Sequence, residues 1–268
     1  MKYLKFTQSL AIASCMALNS ANAATLLFND FGGGADTGPS FQQLYNGQGV
    51  ASADTSTGTV STTSTNNASI GFNTSGTVDA SADPGFTITW AVSSFSNTGD
   101  ITFNGFFFGV TNDKGNGGAN LWNNTAEAVG ILLDGGSAQP DWSLVERTGD
   151  PADGILSASA SLGVTPNDFS VSDNDGFTVS MTINSDNTWS ASSTGMLNNI
   201  SASGTLGASS YATIAGSLVA NTTIQGGNTS PGGLEYVVDS VSITTIPEPS
   251  SLLMLSMIGL LALRRRRS

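Results

Sequence analysis

Phe86-Thr87-Ile88-Thr89-Trp90-Ala91-Val92 alternates apolar and polar side chains along its whole length. Successive side chains of an extended strand point to opposite faces, so Phe86, Ile88, Trp90 and Val92 fall on one face. Gly176-Phe177-Thr178-Val179-Ser180-Met181-Thr182-Ile183 repeats the pattern, with Phe177, Val179, Met181 and Ile183 facing inward. Asn184-Ser185-Asp186-Asn187 carries turn chemistry, and Thr188-Trp189-Ser190-Ala191 returns as the partner strand. A strand with one apolar face must bury it against a second layer, so these segments predict a two-layer β structure.

The neighbouring sequence extends the same reading. Ile101 to Val110 holds Phe103, Phe106, Phe107 and Phe108, apolar on both faces, which predicts a central, fully buried strand. Glu127 to Asp134, with Val129, Ile131, Leu132 and Leu133, reads as a further strand ending at Gly135-Gly136, and Tyr211 to Ala220 and Leu234 to Thr245 read as late strands. Ser52 to Ser69 is almost wholly Ser, Thr, Asn, Ala and Gly and reads as a poorly ordered edge, with a linker as the alternative. Thr223 to Gly233, rich in Gly and Asn, reads as a surface loop. No helix is expected between Ala24 and Ile246. Glu235-Tyr236-Val237-Val238-Asp239-Ser240-Val241-Ser242-Ile243 resembles the closing strand of jelly-roll and concanavalin-like sandwiches. The expected fold class is therefore all-β: an antiparallel β-sandwich, jelly-roll or concanavalin-like, followed by a short C-terminal hydrophobic helix.

Both ends of the chain read as processing signals. Lys2 and Lys5 precede an apolar stretch from Phe6 to Leu18, and Ala21-Asn22-Ala23 gives a small-x-small site before Ala24. This is the layout of a secretory signal peptide over 1–23, which implies the Sec translocon and signal peptidase as partners. Ile12-Ala13-Ser14-Cys15 is the competing reading, a lipobox-like element that would leave Cys15 at the N-terminus. At the other end, Pro247-Glu248-Pro249 precedes an uncharged run over 250–263 and then Arg264, Arg265, Arg266 and Arg267. The prolines block a helix from running through them, whereas the Leu- and Met-rich run favours one. Fourteen helical residues span about 21 Å, short of the roughly 30 Å hydrocarbon core, a gap that thinning or arginine snorkelling closes. The arginines hold the end of the run on the cytoplasmic side. A plain C-terminal anchor needs no Pro-Glu-Pro element. Motif, helix and basic end over 247–268 resemble the PEP-CTERM tail of Gram-negative bacterial surface proteins. That resemblance implies recognition by an exosortase, an inner-membrane intermediate, and a destination at the cell surface or in the extracellular matrix.

The 223 residues from Ala24 to Ile246 suit one all-β domain. Six of the eight basic residues lie in the two end segments, but only Glu248 of the twenty acidic ones does. The portion from 24 to 246 therefore sets Lys114 and Arg147 against nineteen carboxylates, a net charge of −17. Such a surface repels nucleic acid and anionic membrane and keeps an exported protein dissolved. Cys15 is the only cysteine and no histidine occurs. Histidine- and cysteine-dependent nucleophile systems and the usual zinc, copper and haem sites are excluded from the processed chain. Gly32-Gly33-Gly34 lacks the context of a nucleotide-binding loop.

What remains is oxygen-ligand and sugar chemistry. Asp173 and Asp175, and Asp150 and Asp153, cluster oxygens that suit Ca²⁺, although Asp-Gly and Asn-Asp pairs also simply make turns. Calcium is the single cofactor considered. Trp122, in a Gly/Asn-rich stretch, and Trp142, after Pro140-Asp141, are the candidate sugar platforms, with packing as the alternative role. Trp90 and Trp189 are read as core. A carboxylate pair for glycan cleavage would draw on Glu127, Glu146 and Glu235, which no local motif singles out. Asn-x-Ser/Thr triplets at Asn67, Asn73, Asn123, Asn199, Asn221 and Asn228 arise readily in this composition. The expected function is a non-catalytic surface or matrix protein, associated through the resemblance with exopolysaccharide and biofilm. A carbohydrate-binding module, with or without calcium, is the alternative, and a glycan-cleaving enzyme ranks third.

Overall fold

The computed structural model describes residues 23–47, 51–62, 68–97, 105–112, 127–134, 141–148, 157–162, 176–196, 199–225 and 234–248. The strands are β1 (Thr25–Asn29), β2 (Phe41–Gly47), β3 (Ala51–Asp54), β4 (Thr59–Thr62), β5 (Ala68–Thr74), β6 (Gly85–Asn97), β7 (Gly105–Thr111) and β8 (Glu127–Asp134). They continue as β9 (Asp141–Thr148), β10 (Ser157–Ser161), β11 (Phe177–Asn184), β12 (Thr188–Thr194), β13 (Ser201–Thr205), β14 (Val219–Gln225) and β15 (Leu234–Thr245). They form two antiparallel sheets. The first runs β13-β12-β11-β6-β15-β4-β3, with β1 also on β15; the second runs β10-β9-β8-β7-β14-β5-β2. Thr25–Thr245 forms one compact unit.

β6, which carries Phe86 to Val92, lies at the heart of the first sheet. It pairs with β11 from Phe86↔Ile183 to Val92↔Phe177, and with β15 on its other side. Phe86, Ile88, Trp90 and Val92 are all buried, as are Phe177, Val179, Met181 and Ile183. The Asn184–Thr188 turn closes the β11–β12 hairpin, with Asn187 at φ 66° in the left-handed region that asparagine tolerates. Trp90 packs between Phe41 and Phe108, at ring-centroid distances of 6.1 and 6.2 Å. Phe108 also meets Phe177 and Tyr236 edge-on. A polar contact crosses this core: the Tyr236 and Thr222 hydroxyls sit 2.8 Å apart, joining β15 to β14. Burial pushes the Tyr236 phenol well up from its ordinary value.

β7 is central in the second sheet and buried on both faces. Phe106, Phe108 and Val110 face the main core. Phe107 lies on the opposite face with Ala128, Leu132 and Val145, a small second cluster. Its ring occupies the space above Gly109 and Gly130, where a Cβ would come within 2.6 Å or less of ring carbons. Glycine is required there because an aromatic ring covers the sheet.

Three expectations are corrected. Thr223 to Gly233 is not a surface loop throughout, because Thr223 to Gln225 belong to β14 and Thr223 is buried, while 226–233 lie outside the described residues. Tyr211 to Ala220 is not a strand throughout. Tyr211–Ile214 forms a helical turn, α1, and Ala215–Ser217 a 3₁₀ turn, before β14 begins at Val219. No helix had been expected here. Tyr211 and Ile214, three residues apart, are buried while Ala212 and Thr213 are exposed, a helical spacing too short to stand out from a β-rich background. Ser52 to Ser69 is an edge only in part, and 63–67 lie outside the described residues. β3 and β4 form an edge hairpin, and β5 begins at Ala68 as an interior strand between β14 and β2. Gly58 (φ 67°) permits that hairpin, because its carbonyl accepts the Val238 N–H and a Cβ there would collide with the Val238 carbonyl. Among the described residues no helix is long and apolar enough to cross a membrane, and the run over 250–263 lies outside them.

Candidate functional site

The sorting segment emerges directly from the longest interior pairing of the first sheet. β15 is hydrogen-bonded to β6 along its whole length, and Thr245 is still buried. Pro247 and Glu248 are exposed and outside any helix or strand, with Ile246 alone between them and the sheet. An exposed, irregular segment ending in prolines offers its backbone to a processing enzyme, whereas the paired backbone of β15 does not. Ala23 and Ala24, on either side of the expected signal cut, are likewise exposed. β1 starts at Thr25, which pairs with Thr244, so the chain enters and leaves this sheet at the same end. Pro249, Arg264, Arg265, Arg266, Arg267 and Ala21 lie outside the described residues.

The structure brings together two of the three candidate glutamates, in a setting no local motif announced. Glu127 and Glu146 share the inward face of adjacent strands β8 and β9, in a register that pairs Val129 with Glu146. Both are turned toward the connector that carries the chain from β13 in one sheet to β14 in the other. The Glu146 carboxylate accepts N–H bonds from Gly207, Ala208 and Ser209 at 2.8–3.1 Å, and the side chain is 2% exposed. Consecutive amides of this kind form an anion-binding nest, here filled from within the chain. The Ser209 hydroxyl donates to the Arg147 carbonyl at 2.9 Å.

Glu127 is held by Asn112 in both directions. Its N–H donates to Asn112 Oδ1 at 3.0 Å, and Asn112 Nδ2 donates to its carboxylate at 3.3 Å. Burial pushes its carboxyl up from the ordinary value, partly offset by a hydrogen bond from Thr213 of α1. The connector is finished by Tyr211, whose hydroxyl donates to the Asp83 carbonyl at 2.7 Å and to that of Ala80. Burial, with the nearby Asp83 and Asp79 charges, pushes this phenol up to about 12. Among the described residues, the two carboxylates thus hold main chain and α1. Glu235 is exposed on β15.

Trp142 is not a sugar platform. It is 1% exposed and packs edge-on against Phe177 within the main core, because residue 142 falls on the inward face of β9. Trp122 lies outside the described residues, as do Asp150, Asp153, Asp173 and Asp175. Among the described residues no three acidic, histidine or cysteine side chains gather in a way that could hold a metal. Asn73 and Asn221, each within an Asn-x-Ser/Thr triplet, are 1% and 4% exposed and so enclosed by the fold.

The geometry agrees with comparison to known proteins. Solved structures with this fold include the legume lectin-like domain from Entamoeba histolytica, at TM-score 0.51 and 14% identity, covering 76% of this chain and 90% of that one. Arcelin-5, a lectin-like defence protein from Phaseolus vulgaris, matches at TM-score 0.51 and 10% identity, covering 85% and 100%. The lectin from Bauhinia forficata in complex with GalNAc matches at 0.51 and 12%, covering 85% and 99%. The fold is a lectin-like, concanavalin-like β-sandwich. Residues 245–268 match the PEP-CTERM protein-sorting motif. The chain therefore carries a sorting tail that implies an exported, exosortase-sorted protein. No curated protein matches it.

Proposed function

We propose that this chain is a non-catalytic protein of the cell surface or extracellular matrix. It is released from its signal segment near Ala23–Ala24 and processed at Pro247-Glu248-Pro249, and its acidic sandwich serves an exopolysaccharide or biofilm matrix. The observation that carries this reading is the PEP-CTERM match beginning where β15 ends, with Pro247 and Glu248 exposed. The test is intact mass of the protein recovered from cells with and without a working exosortase. A product running from about Ala24 to about Pro247, lost with the enzyme, is the expected result. Retention of 250–268 in both strains overturns the sorting role.

A glycan-binding role is the second reading. What supports it is the shared architecture with lectins, one of which is described as complexed with GalNAc. Glycan arrays read with and without Ca²⁺ test it, and silence across neutral and acidic polysaccharides sinks it. Glycan cleavage is disfavoured because Glu146 is enclosed and engaged by three amides. Hydrolase activity lost specifically on Glu127→Gln or Glu146→Gln, in variants that remain folded, would reinstate it.

A further inference from the structure

The first sheet ends at β13, and this edge carries none of the usual protections. Natural edge strands are kept from pairing by charge, proline, bulges or a covering element. Ile200-Ser201-Ala202-Ser203-Gly204-Thr205-Leu206 has no charged residue and no proline. Its register with β12 is regular from Thr188↔Thr205 to Ser192↔Ser201. Ser201, Ser203, Gly204 and Thr205 are exposed, and among the described residues no strand pairs with the outer side of β13. The Ile200 carbonyl accepts from the Ser193 N–H, and the Leu206 N–H donates to the Asn187 carbonyl. By antiparallel alternation, Ile200, Ala202, Gly204 and Leu206 direct their main-chain groups to β12. Ser201, Ser203 and Thr205 therefore direct theirs outward, a row of donors and acceptors spaced for another strand.

We infer that β13 is a self-pairing edge, at which two copies of this chain join antiparallel about a two-fold axis through Ser203. Three features select a second copy as the occupant. About that axis Ser203 meets Ser203, Ser201 meets Thr205, and Ala202 meets Gly204, so hydroxyl faces hydroxyl on the outer side and small faces small on the inner. Such hydroxyl pairing is already this sheet's own: Thr87 with Thr182 at 2.8 Å and Thr89 with Ser180 at 3.0 Å. The inner side must stay small, because the Trp189 indole lies about where a Cβ on Gly204 would sit, at 2.9 Å. Lastly, two strongly acidic copies approach with least repulsion at an uncharged edge. An isologous contact of this kind closes on itself as a dimer. One strand pair buries far less than the about 1,200 Å² of stable complexes, so the contact is reversible in solution and gains strength where copies are held close together.

Sedimentation velocity on the exported protein as recovered from cells, over a concentration series to about 1 mM, reads the association. Ser203→Pro removes an outward N–H without touching the bonds to β12. It is expected to weaken association at least tenfold with an unchanged melting temperature. Ser203→Cys reads the register, because opposed residues in a hydrogen-bonded antiparallel pair stand about 5.5 Å apart at Cα, within disulfide range. It should cross-link to a homodimer under mild oxidation far more than Ser192→Cys, placed on the exposed face of β12. A chain that stays monomeric throughout, an association indifferent to Ser203→Pro, or equal cross-linking at the two positions overturns the inference. Capture of another protein in place of a second copy at Ser203→Cys overturns it as well.

Discussion

Tyr211 shows how one side chain holds the connector between the sheets. Its hydroxyl serves two carbonyls on the segment before β6. Tyr211→Phe leaves both without this donor and should cost about 1–3 kcal/mol, read by chemical denaturation. The phenol's folded pKa of about 12 lies above its ordinary value of 10.0. Its contribution is therefore complete below pH 10 and lost as pH rises toward 12. Wild type should lose more stability than Tyr211→Phe across that window. Glu127 has the same sign at the acid end, since burial raises its pKa above the ordinary 4.5. Folded protein binds more protons than unfolded just above that value, so this term favours folding below it and fades as pH rises through the folded value. Glu127→Gln is therefore expected to melt no lower than wild type at pH 7 and to lose any advantage by pH 4. A marked loss at pH 7 would mean that the charge on this carboxylate, not its hydrogen-bonding shape, holds Asn112 and Thr213.

At the scale of elements, the connector 206–218 depends on a strand distant in sequence. Glu146 on β9 supplies the anion that gathers the amides of Gly207, Ala208 and Ser209. Glu146→Ala leaves the buried Ser209 N–H unpaired and should cost about 1–3 kcal/mol, with hydrogen exchange faster first at Gly207 to Ser209. If acetate or formate slows that exchange again in the variant, the nest accepts anions in general; indifference to both would mean that the connector holds its shape without one. Phe107 and the glycines beneath it form a second such unit. Gly130→Ala should displace the ring and destabilise by more than the about 1 kcal/mol that alanine for glycine changes in an open strand.

For the whole molecule, charge is the dominant variable. The portion from 24 to 246 carries two basic side chains among nineteen acidic ones. Their mutual repulsion opposes the compact state, and about 0.15 M salt shortens its reach to about 8 Å. Raising salt from low ionic strength to that level should raise the melting temperature, with little further gain beyond; a flat response would mean that the carboxylates are already compensated locally. Asp30, Asp54, Asp79 and Asp186 are each held below the ordinary carboxylate value by hydrogen bonds from turn residues, led by Gly34, Ser56, Ser81 and Thr188 respectively. Their contribution is present above the ordinary value of 3.8 and lost as pH falls through the depressed folded values.

Period-two alternation was enough to place β6, β11 and the β12 hairpin, because the apolar face of a strand is written in consecutive residues. The both-faced apolar run at β7 and the sorting tail were legible for the same reason: each is a local string. Three things were not. The role of Trp142 depended on which face of β9 met Phe177, a residue brought near only by the stacking of two sheets. Glu146 looked like any surface carboxylate until the fold placed it beside amides some sixty positions later. The open edge at β13 exists only because the sheet order ends there. Composition and pattern determined fold class and the sorting tail, since these rest on residue type and short spacing. Tertiary structure decided which polar groups are enclosed, which are shared and which face solvent, since those depend on contacts between residues far apart in the chain.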